Sequence, residues 1–267
     1  MQYQLGFIGC GNMGSALAKG AAKTVNGNTI AVCDRHQEKI SPLVSTLGVQ
    51  EASAQEIAKN AKFVILGVKP QAMQETISTF AKELRTRTDV VLVSMAAGLT
   101  ITSLRKMVGV NLPIIRIMPN TPVAVGSGMT LYTTDGVSRE TEVEFLRIFE
   151  KTGIFDKLTE EQIDAGCAVS GCAPAFVYAF AEALINGGVE CGLSQEKAAL
   201  YAAQTLRGAA DMLLEYGNPD TLKRAVCSKG GATIEGVKYL EKEDLNGIAV
   251  GAVKAAYRRT LELKNNE

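Results

Sequence analysis

Along the first half of the chain, short apolar runs alternate with segments of mixed polarity. The runs are Leu5–Ile8, Ile30–Cys33, Phe63–Val68, Val90–Met95, Ile114–Met118 and Gly128–Thr133, and they predict strands. The intervening segments Ser15–Lys19, Gln37–Leu47, Gln71–Leu84, Thr102–Val108 and Glu140–Lys151 predict helices. The unbroken apolar run from Phe63 to Val68 fits a parallel strand covered on both faces. Alternation of this kind predicts an α/β fold with a doubly wound, Rossmann-type sheet, with ligands beyond the carboxyl ends of its strands.

The pattern changes near Thr159, after which strand signals vanish. Thr159-Glu160-Glu161-Gln162 reads as a helix start with acids in its first turn. Cys172–Gly187, Ser194–Tyr216, Pro219–Val226, Thr233–Glu241 and Leu245–Leu263 read as further helices. The change divides the chain into a dinucleotide-binding domain, 1–157, and an all-helical substrate and dimerisation domain, 158–267. Cys172–Ile185 carries Glu182 as its sole charge, so it needs neighbours on every side. A domain of this size does not surround all of its apolar helices, which predicts a homodimer formed through the helical half.

The 267 residues are 46% hydrophobic, ample for a core. A net charge of zero argues against a nucleic-acid partner or an anionic membrane surface. Met1-Gln2-Tyr3-Gln4 lacks the basic stretch and cleavage site of a signal peptide. Ala165–Ala181 is uncharged, but it holds Pro174 and runs into Glu182, so it reads as a buried helix with its approach rather than a membrane span. Among the six cysteines there is no CxxC pair, and His36 is the one histidine. Neither a metal site nor a disulfide framework is expected, and a reducing cytoplasm is the default.

Chemistry enters at the ends of the strands. Gly9-Cys10-Gly11-Asn12-Met13-Gly14 is a GxGxxG turn between a strand and a helix, able to bind a phosphate with backbone alone. Asp34 follows the second strand at the spacing of an acid that bonds a ribose hydroxyl. Three other strand ends carry unusual residues: Val68-Lys69-Pro70, Ala96-Ala97-Gly98, and Arg116–Pro122 with Asn120 inside it. In the helical half, Gly230-Gly231-Ala232-Thr233 opens a helix and offers a second backbone anion site, suited to a carboxylate. Read residue by residue, each of these segments also fits a purely structural turn or cap.

Together, FIGCGNMG, VKP, AAG, RIMPNTP, a variant of SGSGPAY at Ser170–Phe176 and SKGGATIEGV at 228–237 resemble the pyrroline-5-carboxylate reductase family, from residue 4 to about 260. The resemblance implies a Rossmann domain followed by a helical dimerisation domain. It also implies reduction of 1-pyrroline-5-carboxylate to L-proline by NADPH or NADH. By position, Gly9 to Gly14 would hold the pyrophosphate and Asp34 and Arg35 would lie by the adenine ribose. Val68, Lys69 and Pro70, with Ala96, Ala97 and Gly98, would border the nicotinamide, and Asn120 joins the cofactor set. Gly230, Gly231, Ala232 and Thr233 would bind substrate, with Glu160 near it, and Thr233 and Lys69 are the catalytic candidates. Imine reduction suits a chain with so few candidate general acids, because a protonated imine is already an electrophile.

The sequence departs from the family pattern at Cys172, Ala173 and Phe176, at Lys229 in place of a proline, and at Arg224 and Ala225. Asp34 leans the cofactor choice slightly towards NADH, while the adjacent Arg35 suits the 2′-phosphate of NADPH. Reduction of another cyclic imine, or nucleotide binding without turnover, are the competing readings.

Overall fold

The computed structural model describes residues 2–265. Eight strands form one sheet: β1 (Tyr3–Ile8), β2 (Ile30–Cys33), β3 (Gln50–Glu51), β4 (Ala61–Leu66), β5 (Val91–Ser94), β6 (Ile114–Met118), β7 (Gly128–Asp135) and β8 (Gly153–Lys157). Their order is β3-β2-β1-β4-β5-β6-β7-β8, and every pair is parallel except β6 with β7. The order reverses direction between β1 and β4, the switch point at which such sheets place ligands.

The apolar runs sort by parity. Leu5, Phe7, Phe63, Ile65, Val91, Val93, Ile115 and Ile117 join one apolar cluster. Ile8, Val64, Leu66, Leu92 and Ile114 join the cluster on the other face. A strand buried on both faces has no polar side to display, which is why these segments are unbroken hydrophobic runs.

The connecting helices are α1 (Asn12–Ala21), α2 (Gln37–Leu47), α3 (Ala54–Asn60), α4 (Pro70–Ser78), α5 (Ala81–Arg85), α6 (Ile101–Val108) and α7 (Arg139–Ile148). Two features differ from the sequence expectation. The expected helix Gln71–Leu84 is two helices, because the chain tightens at Thr79 and Phe80 through bonds to Thr76 and Ile77 and buries Phe80 completely. Residues 50–60 and 153–157 also hold structure where none was expected. β3 has two polar residues and β8 carries Ile154 outward, so neither shows a clear apolar pattern.

The remaining helices are α8 (Glu160–Ser170), α9 (Ala173–Glu190), α10 (Gln195–Tyr216), α11 (Pro219–Val226), α12 (Ala232–Lys242) and α13 (Leu245–Asn265). Thr159 and Gln162 close a reciprocal capping box on α8. The chain forms two compact units. One runs through Cys172 and includes the chain from Ala256 on; the other is Ala173–Ala255. The division falls later than the loss of strand signal at 157/158 because α8 packs on the sheet. Its Ile163 and Cys167 share an apolar cluster with Met118 and Leu131. In the second unit, α9 and α10 approach closely at Gly188, where an added Cβ would lie 3.2 Å from the Ala198 Cβ. Within the single chain α9 has no buried residue. The stretch Glu160–Glu190 is long and apolar enough to cross a membrane by composition alone, and 6% of its most apolar window is buried.

Candidate active site

The turn after β1 is built from glycine packed on glycine. Gly9 adopts φ 99°. A Cβ on Gly9 would stand 2.7 Å from the Gly67 carbonyl carbon, and one on Gly14 would overlap the Gly9 carbonyl oxygen. Main chain therefore meets main chain between the ends of β1 and β4. Gly11 differs: nothing lies within 4 Å of a Cβ placed there. Gly11 caps α1 with no side-chain hydrogen bond, and the first turn of α1 contains no acid. Its opening N–H groups are therefore left for a ligand. A cavity of about 310 Å³ opens beside this turn, lined by Cys10, Gly11, Asn12 and Ser15 and by Lys19 and Lys39. An open cradle, uncapped N–H groups and two lysines fit a dinucleotide pyrophosphate.

Asp34, at the end of β2, ties two turns together. Its Oδ2 accepts the Cys10 N–H at 2.8 Å and its Oδ1 accepts the His36 N–H at 3.0 Å. Lys39 Nζ lies 3.6 Å from Oδ1. Burial pushes the Asp34 carboxyl up, but the two backbone donors and the Lys39 charge outweigh it and hold the group below its ordinary range. Arg35 is exposed, with Nε donating to His36 Nε2 at 3.1 Å. Burial and the Asp34 charge push the Cys10 thiol up to about 12, so it stays protonated and unreactive. Lys19 and Lys39 were not among the residues singled out from the sequence. The signal for Lys39 is its place in the first turn of the helix after Asp34.

At the end of β4, Val68 is half-buried and the exposed Lys69 precedes α4, with Pro70 at the first helical position. After β5, the fully buried Ser94 accepts the Ala96 N–H at 3.3 Å, and Gly98 adopts φ 84°. Ala97 between them is half-buried, and small residues leave this loop without bulk. Asn120 follows β6. Its Nδ2 donates to the Ser170 carbonyl at 2.9 Å and its Oδ1 accepts the Met129 N–H at 2.9 Å. The Asn120 amide, expected on the cofactor side, is thus engaged in bracing its own loop.

Glu160 opens α8 and accepts the Ile101 N–H on Oε1 at 2.7 Å. Arg116, fully buried on β6, donates to Glu160 at 3.4 Å and to Asp164 at 2.9 Å.

The second anion site lies in the second unit. Gly230 adopts φ 75°, and Gly231 caps α12 with no side-chain hydrogen bond. Ala232 and Thr233 follow, both exposed. The acid in that first turn, Glu235, is paired with Lys238 at 2.7 Å. The arrangement offers the N–H groups from Ala232 on next to the Thr233 hydroxyl, with the Ser228 hydroxyl packed against Gly231.

Residues 160–263 match the family model described as pyrroline-5-carboxylate reductase dimerisation, and residues 4–98 match the one described as NADP oxidoreductase coenzyme F420-dependent. The chain is 36% identical to a pyrroline-5-carboxylate reductase of Escherichia coli (strain K12), over 100% of both proteins. The chain belongs to the pyrroline-5-carboxylate reductase family. Two solved members share its fold. The pyrroline carboxylate reductase of Plasmodium falciparum, with NADP bound, is 32% identical with a TM-score of 0.87, covering 99% of each chain. A pyrroline-5-carboxylate reductase from Coxiella burnetii is 31% identical with a TM-score of 0.89, covering 98% of this chain and 99% of that one. The motifs that carry the family resemblance thus include both glycine-led helix starts, one in each unit.

Proposed function

We propose that this protein reduces 1-pyrroline-5-carboxylate to L-proline. The observation that carries the reading is the start of α12. The Gly231 N–H donates to the Ser228 carbonyl at 3.0 Å, and the uncapped N–H groups from Ala232 on complement a carboxylate, while the Thr233 hydroxyl beside them complements a ring nitrogen. A cyclic imino acid presents that pair of groups.

In this reading Gly9 to Gly14 hold the pyrophosphate of a nicotinamide dinucleotide. Val68, Lys69, Pro70 and the Ala96–Gly98 loop border its nicotinamide end, where Lys69 adds positive charge. The bound dinucleotide supplies a hydride to the imine carbon. Gly230, Gly231 and Ala232 fix the carboxylate, and Thr233 orients the ring by hydrogen-bonding its nitrogen. A protonated imine needs no further general acid, so positioning and electrostatics supply most of the rate.

The finer cofactor choice follows from charge. Asp34 is already bonded through both oxygens and faces Lys39, so its repulsion of a 2′-phosphate is offset, and Arg35 lies beside it. We therefore assign use of both NADH and NADPH, with Asp34 favouring NADH only slightly. The helical half forms a homodimer that covers α9, and the enzyme works in the cytoplasm without nucleic-acid or membrane partners.

The test is oxidation of NADH and NADPH in parallel with 1-pyrroline-5-carboxylate. Proline should form with both, at rates within about ten-fold, a difference of about 1.4 kcal/mol. Turnover confined to a cyclic imine of another ring size would replace the substrate. Dinucleotide binding with no turnover on any cyclic imine would replace the reaction. Thr233→Ala should lower kcat/KM by about 100-fold, as expected for a lost hydrogen bond to a charged group. An unchanged value would remove Thr233 from the site.

A further inference from the structure

The family resemblance puts Glu160 near the substrate, but its carboxylate has another engagement. Glu160 Oε1 accepts the N–H of Ile101, the first residue of α6, at 2.7 Å across 59 residues of sequence. Thr100 caps the same helix by accepting the Ser103 N–H at 3.1 Å. The start of α6 is therefore held by two acceptors, one local and one brought from α8. The loop between β5 and α6, which includes Ala96, Ala97 and Gly98, is fixed at its other end by Ser94. Behind Glu160 stands Arg116, fully buried, at 3.4 Å from Glu160 Oε1 and 2.9 Å from Asp164 Oδ1. A guanidinium sealed from water needs carboxylate partners, and Asp164 lies one helical turn after Glu160 on α8. The Glu160 carboxylate thus lies at the positive end of α6.

We propose that Glu160 is a positioning residue for the β5–α6 loop, held in place by Arg116 and Asp164, and that it acts on the dinucleotide rather than on the substrate. The proposal rests on the placement of the nicotinamide beside Ala96–Gly98. Glu160 clamps the first N–H of α6 and so fixes the wall against which the nicotinamide lies. Arg116 sets the Glu160 carboxylate at the height of Ile101.

The test uses Glu160→Ala and Glu160→Gln in the full-length protein, with three measurements. Hydrogen exchange at residues 97–101 reads the clamp without any ligand. Calorimetric titration with NADPH reads dinucleotide affinity without turnover. Steady-state kinetics separate the KM of the dinucleotide from that of 1-pyrroline-5-carboxylate. Glu160→Ala should speed exchange in 97–101 and weaken NADPH binding by about ten-fold, the low end for a hydrogen bond to a charged group. The substrate KM should stay within about two-fold, a few tenths of a kcal/mol. Glu160→Gln keeps an acceptor oxygen and should recover most of the affinity. A raised substrate KM with unchanged NADPH affinity would overturn the proposal and make Glu160 a substrate contact. Unchanged exchange in Glu160→Ala would overturn the clamp itself. Absence of turnover in the unaltered protein would strike at the proposed reaction, while exchange and titration would still judge the clamp.

Discussion

Adjacent glycines in the turn after β1 do different work. Gly14 meets the Gly9 carbonyl, so Gly14→Ala forces main chains apart and should cost about 1–3 kcal/mol of stability, as overpacking does. Gly11 has open space around it, so Gly11→Ala should leave the thermal midpoint where it is and still weaken dinucleotide binding, because the new methyl stands in the cradle. Thermal denaturation and NADPH titration on the two variants separate these effects. Equal losses of stability in both would show that Gly11 is structural. The same contrast runs through the polar residues. Asp34 and Asn120 were legible as candidate ligands from type and spacing. Asp34 accepts from its own turn at His36 and from the distant Cys10, and Asn120 bonds Met129 of β7 and Ser170 of α8; composition gives no sign of the distant partners.

At the scale of elements, α3 shows how a short helix earns its place. It lies over Gly6 of β1, where an added Cβ would overlap Ile57. Ser53 and Glu56 cap its start reciprocally. Ser53→Ala should lose about 1 kcal/mol, the usual worth of an N-cap, read from urea unfolding. A loss below about 0.3 kcal/mol would mean that packing on β1 alone sets the helix start. The capping box at Ser53 was in the sequence, but the seven residues of α3 are too few to show a periodic apolar face. The split between α4 and α5 was not legible either. Phe80 continues the apolar spacing of a single helix, yet the chain tightens there through bonds to Thr76 and Ile77 and buries the ring completely.

For the whole molecule, the second unit leaves large apolar side chains uncovered, among them Val177, Tyr178, Leu184, Leu200 and Leu214. A surface of that character marks an interface. In the proposed homodimer, Leu184→Glu should shift the protein from dimer to monomer in sedimentation velocity and lower its thermal midpoint. A dimer that survives the change at micromolar concentration would place the interface elsewhere. The apolar circumference of α9 is readable in the sequence, and the helix has no buried residue within the single chain.

By itself the sequence determined the alternation of buried strands and helices, the two glycine-led helix starts and the apolar surplus of the helical half. Each depends on residues near one another in the chain, through local sterics, backbone donors and hydrophobic periodicity. Tertiary structure alone decided the strand order, the antiparallel entry of β7 and the distant partners of Asp34 (Cys10), Asn120 (Ser170) and Glu160 (Ile101), which lie 24, 50 and 59 residues away. A carboxylate or amide bonds whatever donor the fold brings within 3 Å or so. Which donor that is depends on how strands and helices stack, and local sequence does not encode it.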